Sequence, residues 1–149
     1  YKSKKLGGNI TLQHFYDISR NIKKRWTSGL GISYAFVQED DKKLVIGISA
    51  LKEKETLKNG ENKIQNRMSA NLDSYIKLNK NIELLGTNNY QPNIEKAGDF
   101  RMKTMLSLRI NLSPHFLLSI NNTFNYDSFP EKGIPETDYQ LINSISYTF

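Results

Sequence analysis

Residues 100–112, FRMKTMLSLRINL, alternate between apolar and polar side chains with a period of two. The even positions carry Phe, Met, Thr and then only aliphatic residues, whereas Arg101, Lys103 and Arg109 occupy odd positions. Successive side chains of a β-strand point to opposite faces of the sheet, but a helix would mix these residues around its circumference. The stretch therefore predicts a β-strand with one apolar face and one polar, positively charged face.

The same alternation recurs along the chain and predicts about eight strands. Apolar side chains occupy even positions in 26–36, 44–50, 64–78, 82–90 and 116–126, and no even position of strands two to seven is charged. The first strand is expected over residues 6–16, and the last, 139–149, carries its apolar side chains at odd positions. We expect an all-β, antiparallel, up-and-down barrel.

Length and composition restrict the classes of protein. The 149 residues are enough for one domain, residues 1–149, and the absence of cysteine excludes disulfides, thiolate catalysis and cysteine-based metal sites. The net charge of +6 is spread along the chain, so we expect no nucleic-acid partner. The longest nearly apolar run, 44–51, is far shorter than the ~20 residues of a membrane helix, and the N-terminal YKSKKLGG has no signal-peptide apolar segment.

The predicted connections alternate in length. Medium or long connections follow the odd strands, at 17–24, 52–62, 91–99 and 127–137, and short ones follow the even strands, at 38–42, 79–81 and 113–115. Outer-membrane barrels have short periplasmic turns and longer external loops. An even number of strands then places both ends of the barrel on the periplasmic side.

Aromatic side chains lie near both ends of the predicted apolar faces. Outer-membrane barrels carry such rings as girdles at the two membrane interfaces. The expected interface residues are Trp26, Phe36, Tyr90, Phe100, Phe116, Tyr126, Tyr139 and Phe149. This arrangement favours a membrane barrel with its apolar face toward lipid, although strands in general favour aromatic residues.

The opposite face combines cations and carboxylates with many Asn, Ser and Thr residues. Such a face suits a lumen filled by ion pairs and hydrogen bonds, and a solvated surface would have a similar composition. The expected lumen cluster is Lys63, Arg67, Asp73, Glu83, Arg101, Lys103 and Arg109. An Arg or Lys on the lipid face would cost ~2–4 kcal/mol near the midplane, which would explain the absence of charge at the even positions of predicted strands two to seven.

The C-terminal half, about residues 82–149, carries a recognisable set of turn motifs. They are Tyr90-Gln91-Pro92, Asp99-Phe100-Arg101, Asp127-Ser128-Phe129-Pro130, Gly133, Thr137-Asp138 and the ending Ser146-Tyr147-Thr148-Phe149. This half resembles a family of uncharacterised bacterial outer-membrane β-barrels, a domain-of-unknown-function group with members labelled salt-induced outer-membrane proteins. The resemblance implies an outer-membrane barrel and little about activity. Family members are longer, so an alternative is that these strands end a larger barrel.

No catalytic constellation emerges from the sequence. His14 and His115 have no second metal ligand at a standard spacing, and the carboxylate pairs Asp40-Asp41 and Glu53/Glu55 are expected to be solvated loop charges. The strand glycines Gly29 and Gly31 are expected to face the lumen or to mark a kink. We therefore expect no catalytic residues, no metal and no cofactor.

Taken together, these patterns favour an integral outer-membrane β-barrel of a Gram-negative bacterium with a non-enzymatic structural or assembly role. Its expected partners are outer-membrane lipid, other outer-membrane proteins and, through the strand ending at Phe149, the barrel assembly machinery. One alternative is a soluble lipocalin-like barrel that binds a small hydrophobic ligand inside. Another is a narrow pore, if further strands complete the barrel.

Overall fold

The computed structural model describes residues 5–149, and residues 1–4 of the N-terminal stretch lie outside the described residues. Strands account for nearly all of the described chain, and no helix in it is long and apolar enough to cross a membrane. The strands are β1 (Leu6–Asp17), β2 (Ile22–Gln38), β3 (Lys42–Leu57), β4 (Asn62–Asn79), β5 (Ile82–Pro92), β6 (Phe100–Asn111), β7 (Phe116–Asp127) and β8 (Thr137–Tyr147).

The strands form one antiparallel sheet in which each strand pairs with its sequence neighbours, in the order β1 to β8. The predicted fold class, an eight-stranded up-and-down antiparallel β-structure, is confirmed. The sheet is not closed: within residues 5–149, β1 pairs only with β2 and β8 only with β7. The two outer strands therefore each present one edge without a strand partner.

The register assigns every strand's apolar side chains to the same face. Leu30 lies opposite Ile10 on one side and Ala50 on the other, so even positions of β1, β2 and β3 point the same way. Phe124 lies opposite Tyr139, and the predicted switch to odd positions in β8 is therefore confirmed. Cross-strand neighbours share a face, so this register builds a continuous apolar surface.

The sheet is strongly curled, with the polar face inside. Arg101 of β6 donates a hydrogen bond to Glu53 of β3, which lies three strands away, at 2.8 Å. Such a contact requires the face with the odd positions of β3 and β6 to be concave. The apolar face is then convex, and most of its large side chains are exposed. The lipocalin-like alternative is therefore wrong in its geometry, because it required the apolar stripes to point inward.

Several strands extend further than the sequence pattern predicted. β3 continues to Leu57 and β2 begins at Ile22, so the expected connections 17–24 and 52–62 shrink to residues 18–21 and 58–61. The later loops after odd strands are longer, 93–99 and 128–136, and the turns after even strands remain short. Gly60 adopts a φ of +88°, as the predicted Asn59-Gly60 turn requires.

The interior of the curl holds few apolar side chains. In the described part of the chain, the buried apolar residues are Ile22, Ala35, Leu51 and Leu57, and a larger number of polar and charged side chains is buried beside them. A soluble domain of this size ordinarily buries mainly aliphatic and aromatic residues. The buried interior is therefore held together mainly by polar contacts on the concave face.

Candidate functional site: a charged network on the concave face

Buried charges gather on the concave face near the loops that follow the odd strands. β3 supplies Glu53 and Glu55, β4 supplies Arg67, and loop 93–99 supplies Asp99, all of them buried. Arg25, Arg101 and Asp127 join them from β2, β6 and the end of β7. Buried charges are rarely stable in proteins unless they are paired, so the stability of this region depends on how these side chains pair.

Arg67 is the centre of this charged network and is only 1% exposed. Its Nη2 lies 2.7 Å from Asp99 Oδ1 and donates to Gln65 Oε1 at 3.1 Å, and its Nη1 donates to the Gln91 carbonyl at 3.0 Å. Its Nε lies 3.5 Å from Glu53 Oε2 but forms no hydrogen bond. The guanidinium thereby connects β3, β4, β5 and loop 93–99.

Glu53 lies between two guanidinium groups. Arg67 approaches Oε2 from β4, and Arg101 donates its Nη1–H to the same oxygen from β6. Arg101 also donates from Nε to Asp127 Oδ2 at 3.1 Å, while Arg25 pairs separately with Glu55. The result is a chain of alternating charges across the curl. Alternation of sign offsets much of the cost of removing these groups from water.

Two loops are fastened to this network. Loop 93–99 is held by the Arg67–Asp99 pair and by Asn93, which donates Nδ2–H to Asp99 Oδ2 at 3.1 Å. Loop 128–136 crosses the concave side, and its Glu131 pairs with Lys63 of β4 at 2.5 Å. Both partners of this second pair remain about one-third exposed, so its strength is lower than that of the buried pair.

A polar cavity of about 320 Å³ lies against the network. Its walls include Arg25, Arg101 and Lys103, together with amide side chains such as Asn71 and Asn125. A neighbouring cavity of about 100 Å³ lies between the network and the two loops. Cavities of this size and polarity can hold water or a small polar solute.

No group of three or more His, Cys, Asp or Glu side chains among residues 5–149 could hold a metal ion. His14 stacks on Trp26 with ring centroids 4.5 Å apart, and His115 Nδ1 lies 3.0 Å from the Thr148 carbonyl. Both histidines lie away from the charged network, so neither is placed to act as an acid or base there.

The predicted lumen cluster divides into two groups. Lys63, Arg67 and Arg101 come together at the charged network, and Lys103 lines the larger cavity. The remaining members lie toward the short turns. Glu83 is opposite Arg109 and accepts a hydrogen bond from Tyr75 at 3.1 Å, while Asp73 is exposed on β4.

The carboxylates that complete the charged network lie outside the predicted lumen cluster. The expectation that Glu53 and Glu55 are solvated loop charges is wrong, because β3 extends to Leu57 and turns both side chains into the curl. Residues 52–55, KEKE, continue the period of two, and this alternation was the available signal. Asp99 and Asp127 gave no such signal, because they lie where strands meet loops. The expected Gly29 and Gly31 positions on the lumen side are confirmed.

The eight predicted interface aromatics lie on or beside the convex face. Tyr90, Phe100 and Tyr126 form a row across three strands, with successive ring centroids 5.4 Å apart. At the opposite end, Phe116 contacts Tyr147, and Tyr147 contacts Phe149, at 4.8 and 5.1 Å. Trp26, Phe36 and Tyr139 are exposed on the same face.

A comparison with known families assigns the chain to one of them. The family described as "Protein of unknown function, DUF481" matches residues 2–149. The chain belongs to this family. The DUF481 match covers far more than the C-terminal half in which the turn motifs were recognised, so the N-terminal strands belong to the family domain as well. Among curated proteins, none matches the chain.

Proposed function

We propose that this DUF481 protein is an integral outer-membrane β-barrel protein of a Gram-negative bacterium, with a non-enzymatic structural or assembly role in the cell envelope. The observation that supports this proposal is the inverted distribution of polarity. Charged pairs are buried on the concave face, whereas large apolar side chains such as Ile32 are exposed on the convex face. In water this arrangement would leave a broad apolar surface unpaired.

The dimensions of the convex face fit a lipid bilayer. A membrane-spanning β-strand needs about 9–11 residues, which is the distance along β2 from Trp26 to Phe36 and along β7 from Phe116 to Tyr126. Each of these segments begins and ends at an aromatic ring on the apolar face. Aromatic rings at both ends of an apolar band are the usual arrangement in outer-membrane barrels.

The contents of the curl favour a structural role over transport or catalysis. The Arg67–Glu53–Arg101–Asp127 chain crosses the interior, and two loops are fastened over it. Ion pairs that already satisfy one another leave few free charged groups for transport or catalysis. We further propose that the C-terminal strand, with Tyr147 and Phe149 exposed, is the segment recognised by the barrel assembly machinery and that the loops contact other outer-membrane proteins.

Fractionation of cells that express the native protein tests the membrane assignment. We expect the protein to stay in the outer-membrane fraction through carbonate and urea washes and to leave it only in detergent. Release into either wash would contradict the proposal.

A pair of arginine substitutions on opposite faces provides a sharper test. Ile32, 62% exposed, lies on the convex face, and Gln13, also exposed, lies on the concave face. In lipid, Ile32→Arg should cost ~2–4 kcal/mol and block assembly, whereas Gln13→Arg should be tolerated beside the polar cavity. In a water-soluble protein the exposed Ile32→Arg substitution would be harmless. Membrane yields of the two variants therefore separate the two cases.

A further inference from the structure

The convex face is not uniform, because lysines replace apolar residues toward the long-loop end of β2 and β3. Cross-strand rows of this face can be followed outward from the centre. One row contains Leu30 and Ala50, the next places Ser28 beside Lys52, and the third places Trp26 beside Lys54. Lys24 follows one row further out, opposite Thr56. Each row is about 6–7 Å from the next, so the lysines lie around the Trp26 end of the apolar band, with Lys52 one row inside Trp26 and Lys24 one row outside it.

These lysines carry charge that the protein does not neutralise at close range. Lys24, Lys52 and Lys54 are exposed, and in the described part of the chain no carboxylate lies within 4.0 Å of their ammonium groups. Glu95 of loop 93–99 accepts a hydrogen bond from Asn66, the cross-strand neighbour of Lys52, at 2.7 Å. Glu53 and Glu55, which alternate with the lysines, point into the curl.

A shallow apolar groove of about 550 Å³ begins beside Lys52 on the same face. Its lining combines the small side chains of Ser28 and Ala50 with the larger apolar side chains of Leu12, Leu30 and Ile94. Lys52 also lines the groove, so a charged and an apolar contact are available to one molecule. A flexible hydrocarbon chain fits such a groove, and an anion at its end would reach the lysines.

We propose that Lys24, Lys52, Lys54 and this groove form a binding site for a phosphorylated lipid. One acyl chain lies along Ser28 and Ala50, and the phosphate contacts the ammonium groups. The inference rests on the proposed membrane location, because only there does the groove face lipid. Charge complementarity favours this ligand. The three lysines have no close carboxylate and lie where the apolar band meets the headgroup region, so their positive charge can pair with a lipid phosphate.

Lipid retention by the purified protein in detergent tests the site. The probes are dioleoyl phosphatidic acid, dioleoyl phosphatidylcholine and inorganic phosphate, and bound lipid is measured by native mass spectrometry. We expect retention of phosphatidic acid over phosphatidylcholine, with no competition from inorganic phosphate. Each lysine near an anionic lipid surface contributes about fivefold in affinity, so Lys52→Ala with Lys54→Ala should weaken retention about twenty-fivefold.

The matched control removes the same charge from the other end of β3. Lys42 and Lys43 are also exposed, and replacing both by Ala should leave retention unchanged. Equal losses from the two double variants would overturn the site, as would equal retention of phosphatidylcholine. Effective competition by inorganic phosphate would indicate a free-anion site and would also overturn the lipid assignment.

A groove-filling substitution tests the acyl-chain contact. Ser28→Phe should lower retention of the dioleoyl lipid but not of a dihexanoyl phosphatidic acid, whose chains are too short to need the groove. Unchanged retention of the long-chain lipid would overturn the groove assignment. Membrane fractionation of every variant distinguishes loss of this site from failure of the proposed function, because the lysine variants should remain in the membrane.

Discussion

At the scale of single residues, Arg67 has the largest number of structural connections in the charged network. Its guanidinium contacts Asp99, Glu53, Gln65 and the backbone of β5, and almost none of it reaches solvent. Removal of one partner from a buried pair leaves an uncompensated charge, which costs more than the pair itself contributes. The stability of the loop end should therefore depend on this one side chain.

We predict that Arg67→Met destabilises the protein by about 3–5 kcal/mol, because the buried carboxylate of Asp99 loses its cationic partner. Arg67→Lys should recover only part of this loss, since an ammonium group cannot reach all four partners. The measurement is urea unfolding of the protein in detergent, followed by tryptophan fluorescence of Trp26.

The Lys63–Glu131 pair supplies the control for this prediction. Both side chains are about one-third exposed, so Lys63→Met should cost less than about 1 kcal/mol. Similar losses of unfolding free energy from Arg67→Met and Lys63→Met would show that burial does not decide the strength of these pairs. The prediction that stability depends on Arg67 would then be wrong.

At the scale of elements, the period-two pattern predicted the strands well and their ends poorly. Side-chain direction follows from alternation, so the faces of β2 to β8 were accessible from the sequence. Strand ends depend on whether a neighbour continues the ladder, and β3 reaches Leu57 because β2 and β4 continue beside it. The pairing of Glu53 with Arg101 could not be predicted from alternation either. The two side chains come into contact only because the sheet curls.

The contact between β2 and β3 leads to a second prediction. A Cβ atom on Gly31 would meet the Ile48 carbonyl oxygen and Asn9 Oδ1 at 2.6 Å, whereas a Cβ on Gly47 would meet nothing closer than 3.6 Å. Gly31→Ala should therefore force the strands apart and cost about 1–3 kcal/mol. Gly47→Ala should be neutral or stabilising by about 0.4–1 kcal/mol, because it restricts the unfolded chain.

Thermal unfolding in detergent compares these two glycine variants directly. Both substitutions add one methyl group to neighbouring strands, so general effects of a side chain in the sheet cancel. A midpoint for Gly31→Ala equal to that of Gly47→Ala would mean that the close approach at Gly31 relaxes without cost.

At the scale of the whole molecule, the open sheet and the proposed membrane location impose opposing requirements. The outer edges of β1 and β8 present backbone N–H and C=O groups without strand partners among residues 5–149. Hydrocarbon contains no water to satisfy such groups, so open edges do not occur against lipid. In a membrane these edges must therefore pair, with each other or with further strands.

Hydrogen exchange measures this pairing. We predict that, in lipid nanodiscs, amides of β8 (Thr137–Tyr147) exchange as slowly as those of β7 (Phe116–Asp127), because both edges of β8 are then hydrogen-bonded. In an open sheet, the β8 amides that point away from β7 would exchange within seconds, while β7 stayed protected.

Cysteine crosslinking identifies the partner of the closed edge. The chain contains no cysteine, so cysteine pairs with one residue in β1 and one in β8 form only the disulfides that the experiment introduces. A crosslink within one chain would show that the sheet closes on itself, because disulfides require Cα atoms within about 7 Å. Crosslinks between chains, together with slow β8 exchange, would show closure by strands of a second copy. Fast β8 exchange in nanodiscs would contradict both, because an unpaired strand edge cannot persist in the hydrocarbon layer.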